Sequence, residues 1–291
     1  GTFQLASLSK KQSDIKELLD YSINRLYPQL LNQDDKYLKF FEKITIEQMD
    51  LILDWQRVGF VHGVMNTDNM SLSGETIDYG PCAFLDEYNP NKVFSSIDKN
   101  GRYAFNNQPK IALWNLARLA ETFLHLVDSK EETAIKKIEQ ILKKYETNYN
   151  EKWLEMMKGK IGINDNHEKD YELIKELLEL MHIFKLDYTN TFIWIQNNSL
   201  KKFDFMIDWL SKLNQRKQLN KKIKKPKNSN PMIVPRNHIV EKVLNESANG
   251  NYKNLIKFIS LLKNPYEYSI PEEYMREPTN EEKVYQTFCG T

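Results

Sequence analysis

The sequence predicts a mainly α-helical protein with one short β-hairpin. Three observations carry that expectation. Apolar residues recur at three- and four-residue spacing through most of the chain. Several of these stripes open on helix-start signals. Only one stretch, Leu72 to Ile77 around Ser-Gly-Glu, reads as a hairpin. With 291 residues, of which 41% are apolar and 12% aromatic, the chain can bury a core, and wholesale disorder is excluded.

Taken in order, "LASLSKKQSDIKELLDYSINRLYPQL" reads helical. "TIEQMDLILDWQRVG" starts with Thr45 and Gln48 in capping-box spacing, sets Met49, Ile52 and Leu53 on one face, and offers Gly59 as its stop. A polar loop with His62 and the hairpin follow, and residues 84–108 read as irregular. Pro109 opens a helix with an apolar stripe of Leu113, Leu116, Ala117, Ala120, Leu124 and Val127. Ser129 and Glu132 cap the next helix, expected to bury Ile135, Ile138 and Leu142. Further helical patterns cover 150–158, 168–185, 187–196 and 200–214. Residues 212–231, rich in Lys and Asn, read as a solvated loop, and 235–263 as two helices split near Gly250. One domain over 1–291 is expected, with a subdivision into 1–128 and 129–291.

Composition excludes several functions. Net charge is +1, which gives no case for a nucleic-acid or membrane-surface partner. No apolar run approaches the ~20 residues that span a bilayer. The two cysteines, Cys82 and Cys289, and the five scattered histidines have no zinc-site spacing. The start lacks a signal-peptide core and an initiator Met, so the chain reads as a processed or cut piece.

The segment "HGVMNTDNMSLSGETIDYGP" concentrates the chemistry. Set beside the protein-kinase catalytic loop, His62 takes the histidine place, Asn69 the metal-binding asparagine, and Asp78-Tyr79-Gly80 the Asp-Phe-Gly. Magnesium takes oxygen ligands, typically one or two from protein and the rest from phosphates and water, so a loop amide and a hairpin-end carboxylate suit it. Val64 stands where the kinase general base belongs, and valine cannot accept a proton. Either phosphotransfer is lost or another carboxylate does that work, and Asp68 is the candidate. Asp68-Asn69 also suits a turn or cap, and Asp78-Tyr79-Gly80 a plain hairpin exit.

The same segment resembles the signature of the selenoprotein O family, pseudokinases that act as protein adenylyltransferases (AMPylases). The resemblance continues through "GRYAFNNQPKIALWNLARLAETF", "LDYTNTF", "NPMIVPRNHIVEKVL" and "FCGT". It implies a protein-kinase-like C-lobe with extra C-terminal helices, binding ATP in reversed orientation and passing AMP to Ser, Thr or Tyr hydroxyls of protein substrates. It implies Asp68 as general base and Asn69 and Asp78 as ligands of magnesium, or manganese in its place, with His62 bracing the loop. Cys82 and Cys289 are implied as a redox disulfide pair. No glycine-rich loop or strand lysine precedes His62, so the chain resembles the C-terminal portion of the family and is expected to need a missing N-lobe segment. A non-catalytic helical scaffold and a kinase-like phosphotransferase are the alternatives. Family members occur in bacterial cytoplasm and in mitochondria.

Overall fold

The computed structural model describes residues 1–9, 11–219 and 229–288. It divides into two compact units: 1–54, 64–79 and 107–151 form the first, and 55–63, 80–106 and 152–291 the second. Helix is the dominant structure in both, as the periodicity predicts.

The first unit holds α1 (Thr2–Leu8), α2 (Gln12–Leu26), most of α3 (Lys36–Val58), α4 (Gln108–Glu121), the single turn α5 (Leu124–Val127) and the start of α6 (Glu131–Ile161). In α2, Ile15, Leu19 and Ile23 recur every four residues and are buried. In α3, Phe40, Phe41 and Ile44 are buried, and the ring of Phe41 meets Phe123 edge-on with centroids 6.0 Å apart.

Three expectations are corrected here. Thr45 and Gln48 do not cap a helix; they lie inside α3, which starts at Lys36. The Thr45 hydroxyl donates to the Phe41 carbonyl at 2.8 Å, so the polar side chain is satisfied within its own helix. The stripe expected to run from Leu113 to Val127 is interrupted after Glu121, before the separate turn α5. The segments read as separate helices after Ser129 and over 150–158 are one helix, α6, which starts at Glu131. It buries Ala134, Ile138 and Tyr145, while Leu142 is half-buried and Ile135 exposed.

The second unit contains a two-stranded antiparallel sheet, β1 (Phe60–Val61) with β2 (Ala83–Phe84), paired Phe60 to Phe84 and Val61 to Ala83. It also contains α7 (Asp170–Ile183), α8 (Tyr188–Gln196), α9 (Ile207–Gln218), α10 (Asn237–Ala248) and α11 (Lys253–Leu262). One buried cluster gathers Val61, Leu85, Ile174, Leu177, Phe192 and Trp209, and the Trp209 indole N–H donates to the Leu173 carbonyl at 2.9 Å. A second cluster gathers Ile193, Ile233, Val243 and Phe258. Of the stretch read as a loop, 212–218 continues α9 instead, and 220–228 lies outside the described residues. The break between α10 and α11 falls at Gly250, as expected.

Gly59 ends α3 for a steric reason. Its φ is +77°, and a Cβ there would lie 2.8 Å from the Tyr188 ring. The Tyr188 hydroxyl donates to the Gln56 carbonyl at 2.7 Å, and Lys160 Nζ donates to the Arg57 carbonyl at 2.6 Å. These side chains satisfy carbonyls that the helix leaves open at its end. Burial pushes the Lys160 amine well below its ordinary value.

Candidate functional site

The polar segment leaves the sheet at β1 and returns to it at β2. His62 follows β1, is wholly buried, and lies with its ring centroid 5.2 Å from that of Trp55. Gly63 has φ +87°, and a Cβ there would stand 2.7 Å from the Pro81 carbonyl oxygen, so the outgoing and returning strands pass in near contact.

Between those points the chain carries the predicted residues. Met65 is buried. Asn69 Nδ2 donates to the Val64 carbonyl at 3.0 Å, and the Asn69 backbone N–H donates to Asn66 at 3.0 Å. With its nitrogen engaged, the Asn69 amide offers Oδ1 as the atom left for a ligand. Asp68 is exposed beside it. An antiparallel bridge between Met70 and Thr76 then turns the chain, confirming the expected hairpin. Its tip fits against α3, where a Cβ on Gly74 would come 2.9 Å from Glu47 Cβ.

Asp78 stands two residues past the bridge. Asn69 stands one residue before Met70, the partner of Thr76 in that bridge. Its φ is +55°, in the left-handed region that aspartate enters more readily than most residues but at a cost. A strained backbone at an exposed carboxylate is the kind of outlier that accompanies ligand sites. Asp78 and the neighbouring Tyr79 are both exposed.

The donor types of the two predicted ligands, one amide oxygen at Asn69 and one exposed carboxylate at Asp78, are those a hard cation takes from protein. Among the described residues, no three His, Cys, Asp or Glu side chains converge as a metal cluster.

Two residues of this region escaped the sequence reading. Gln48 Nε2 on α3 donates to the Ser71 carbonyl at 2.5 Å, and Asn115 Nδ2 on α4 donates to the Met65 carbonyl at 2.9 Å. A signal for Asn115 was present: it lies between Ala112 and Leu116 on the buried stripe of α4, where an amide is out of place unless it bonds. Gln48 gave no such signal, because its spacing from Thr45 imitates a cap.

Cys82 follows Pro81 and is half-buried; Cys289 lies outside the described residues. Thr287, two positions before Cys289, forms a parallel bridge with Ser95. Its N–H donates to Phe94 at 2.8 Å, its carbonyl accepts from Ser96 at 3.0 Å, and its hydroxyl donates to the Pro81 carbonyl.

Residues 1–207 match the family described as protein adenylyltransferase SelO, and the chain belongs to that family. It is 44% identical over 303 residues to the protein nucleotidyltransferase YdiU of Pelagibacter ubique (strain HTCC1062). It is 43% identical over 303 residues to the protein of the same name from Bacillus mycoides (strain KBAB4). Each match takes in 100% of this chain but 62% of the relative, so the chain spans less than two thirds of their length. No helix among the described residues is long and apolar enough to cross a membrane.

Proposed function

We propose that this chain supplies the base and the metal-binding face of a magnesium-dependent protein adenylyltransferase, on a kinase-like C-lobe extended by C-terminal helices. The observation that carries the reading is the hairpin. It is flanked by Asn69, whose amide bonds Val64, and by Asp78, held in a left-handed backbone, and in this reading the two ligands meet at its open end with Asp68 beside them.

Asn69 and Asp78 are the residues that would hold magnesium, or manganese in its place, which when bound offsets charge on the phosphate oxygens. Asp68 accepts the proton of a Ser, Thr or Tyr hydroxyl on a protein substrate. That hydroxyl oxygen bonds to the α-phosphorus of ATP. The bond from the α-phosphorus to its bridging oxygen breaks, and pyrophosphate leaves with the electron pair. Val64, half-buried and without a titratable group, leaves the kinase base position empty of function and disfavours γ-phosphoryl transfer. The groups that orient the triphosphate, a glycine-rich loop and a lysine, belong in this reading to the family length this chain does not span. Positioning supplies much of the rate in such chemistry.

The test uses ATP labelled at the α- or γ-phosphate. With the remaining portion of a family protein supplied, label from the α-position is expected on acceptor proteins, and the chain alone is expected to transfer none. Asp68→Ala and Asp78→Ala are expected to reduce transfer at least ~100-fold. Label from the γ-position would replace AMP transfer by phosphotransfer. An unchanged cellular role for Asp78→Ala would leave only a helical scaffold.

A further inference from the structure

We infer that Gln48 and Asn115 are positioning residues: a pair of buried amides, one on α3 and one on α4, that clamp the segment bearing Asp68 and Asn69. The inference rests on the site reading above. The two bonds fall on the carbonyls of Met65 and Ser71, which bracket Asp68 and Asn69 on either side. Both amides are buried, Gln48 at 3% and Asn115 at 7% exposure, so water does not compete for the bonds.

The chemistry of the choice points to position over stability. Each amide spends its nitrogen on the loop, while Gln48 Oε1 and Asn115 Oδ1 are buried with no hydrogen-bond partner among the described residues. A buried acceptor without a donor is unfavourable. An apolar side chain of similar volume would remove it; the Met65 carbonyl would then lose its donor, whereas the Ser71 carbonyl would keep the Gly74 N–H at 3.2 Å. At Asn115 one orphaned acceptor is exchanged for another, and at Gln48 one is removed outright, so the fold gains little from either amide. What the amide alone provides is a fixed location for two backbone carbonyls. Within the segment, Asn69 bonds the Val64 carbonyl, and the Thr67 hydroxyl accepts from the Gly1 amino group at 3.1 Å. Gln48 and Asn115 thus anchor the loop to α3 and α4 on both sides of Asp68 and Asn69, which is the support a preorganised ligand set requires.

Binding of Mn²⁺ in the presence of ATP, followed on the whole chain by electron paramagnetic resonance, tests this alongside thermal unfolding and amide hydrogen exchange. Gln48→Met and Asn115→Leu keep side-chain volume and remove the donor. Each is expected to shift Tm by less than about 4 °C, to weaken Mn²⁺ binding at least ~10-fold, and to accelerate exchange within 64–71. A side chain that merely supports the fold would lower Tm and affinity together. Wild-type affinity in both variants, with Asp78→Ala abolishing binding, would overturn the clamp and leave the metal site standing. Should the wild-type chain itself bind no Mn²⁺, the metal reading fails for this chain and exchange decides the clamp. Acceleration confined to 64–71 upholds it, and unchanged protection overturns it.

Discussion

Asp78 was legible as a candidate from its spacing to Asn69, yet its left-handed backbone was not, since nothing in Asp-Tyr-Gly dictates φ at its first residue. His238 illustrates a residue whose environment no local pattern discloses. Its side chain is buried, and neither ring nitrogen has a hydrogen-bond partner among the described residues. Burial, with help from the nearby Arg276 and Arg236 charges, pushes its imidazole down to about 4 against the opposing pull of Glu282 and Asp187. The unfolded chain takes up the same proton near pH 6.5. Between these values the unfolded state binds more protons, so stability falls as pH drops from about 6.5 towards 4 and is unaffected by this group above that range. Urea midpoints at pH 7 and pH 5 are expected to differ more in the wild type than in His238→Leu. Equal differences would remove His238 as the source.

The element scale shows where periodicity suffices and where it fails. Apolar spacing found α2, α4, α7, α8, α10 and α11, because one buried face per helix is a local property of sequence. It failed at Thr45 and Gln48, since a capping-box spacing is also an ordinary spacing within a helix. Gln48 is explained only by Ser71, a partner 23 positions away. The start of α8 depends likewise on distant chain. Asp187 caps it by accepting from the Asn190 N–H at 2.7 Å, and the same carboxylate pairs with Arg236 at 2.7 and 2.9 Å. Arg236, 1% exposed, also reaches Asp86 at 2.8 Å, and burial raises the Asp86 carboxyl despite that guanidinium. Arg236→Ala leaves Asp187 buried without its counter-charge and is expected to cost about 3–5 kcal/mol in urea unfolding. A loss below ~1 kcal/mol would mean that the pair contributes no net stability.

For the whole molecule, the legible part was the order of motifs, and the illegible part was their fastening. The Thr287 bridge to Ser95, with its hydroxyl on Pro81, brings the chain leading to Cys289 alongside the residue before Cys82. That approach supports the redox pairing that the family resemblance implied. In a reducing compartment such a pair would act as a switch. Treatment with oxidised glutathione is expected to change AMP transfer by the assembled enzyme and to join Cys82 to Cys289 in peptide mass mapping. Cys289→Ser is expected to abolish both responses. Identical activity under oxidising and reducing conditions would reject the switch.

The end of α3 carries a consequence for how the protein is made. Its last carbonyls are answered by Tyr188 and Lys160, partners 132 and 103 residues downstream. Closing such distant contacts is slow compared with winding a helix. The launch angle of the strand that leads to His62 is therefore among the later features to set during folding, after α6 and α8 have docked. Protection of the amides around His62 from hydrogen exchange should accordingly lag behind helix formation when the chain is refolded from denaturant.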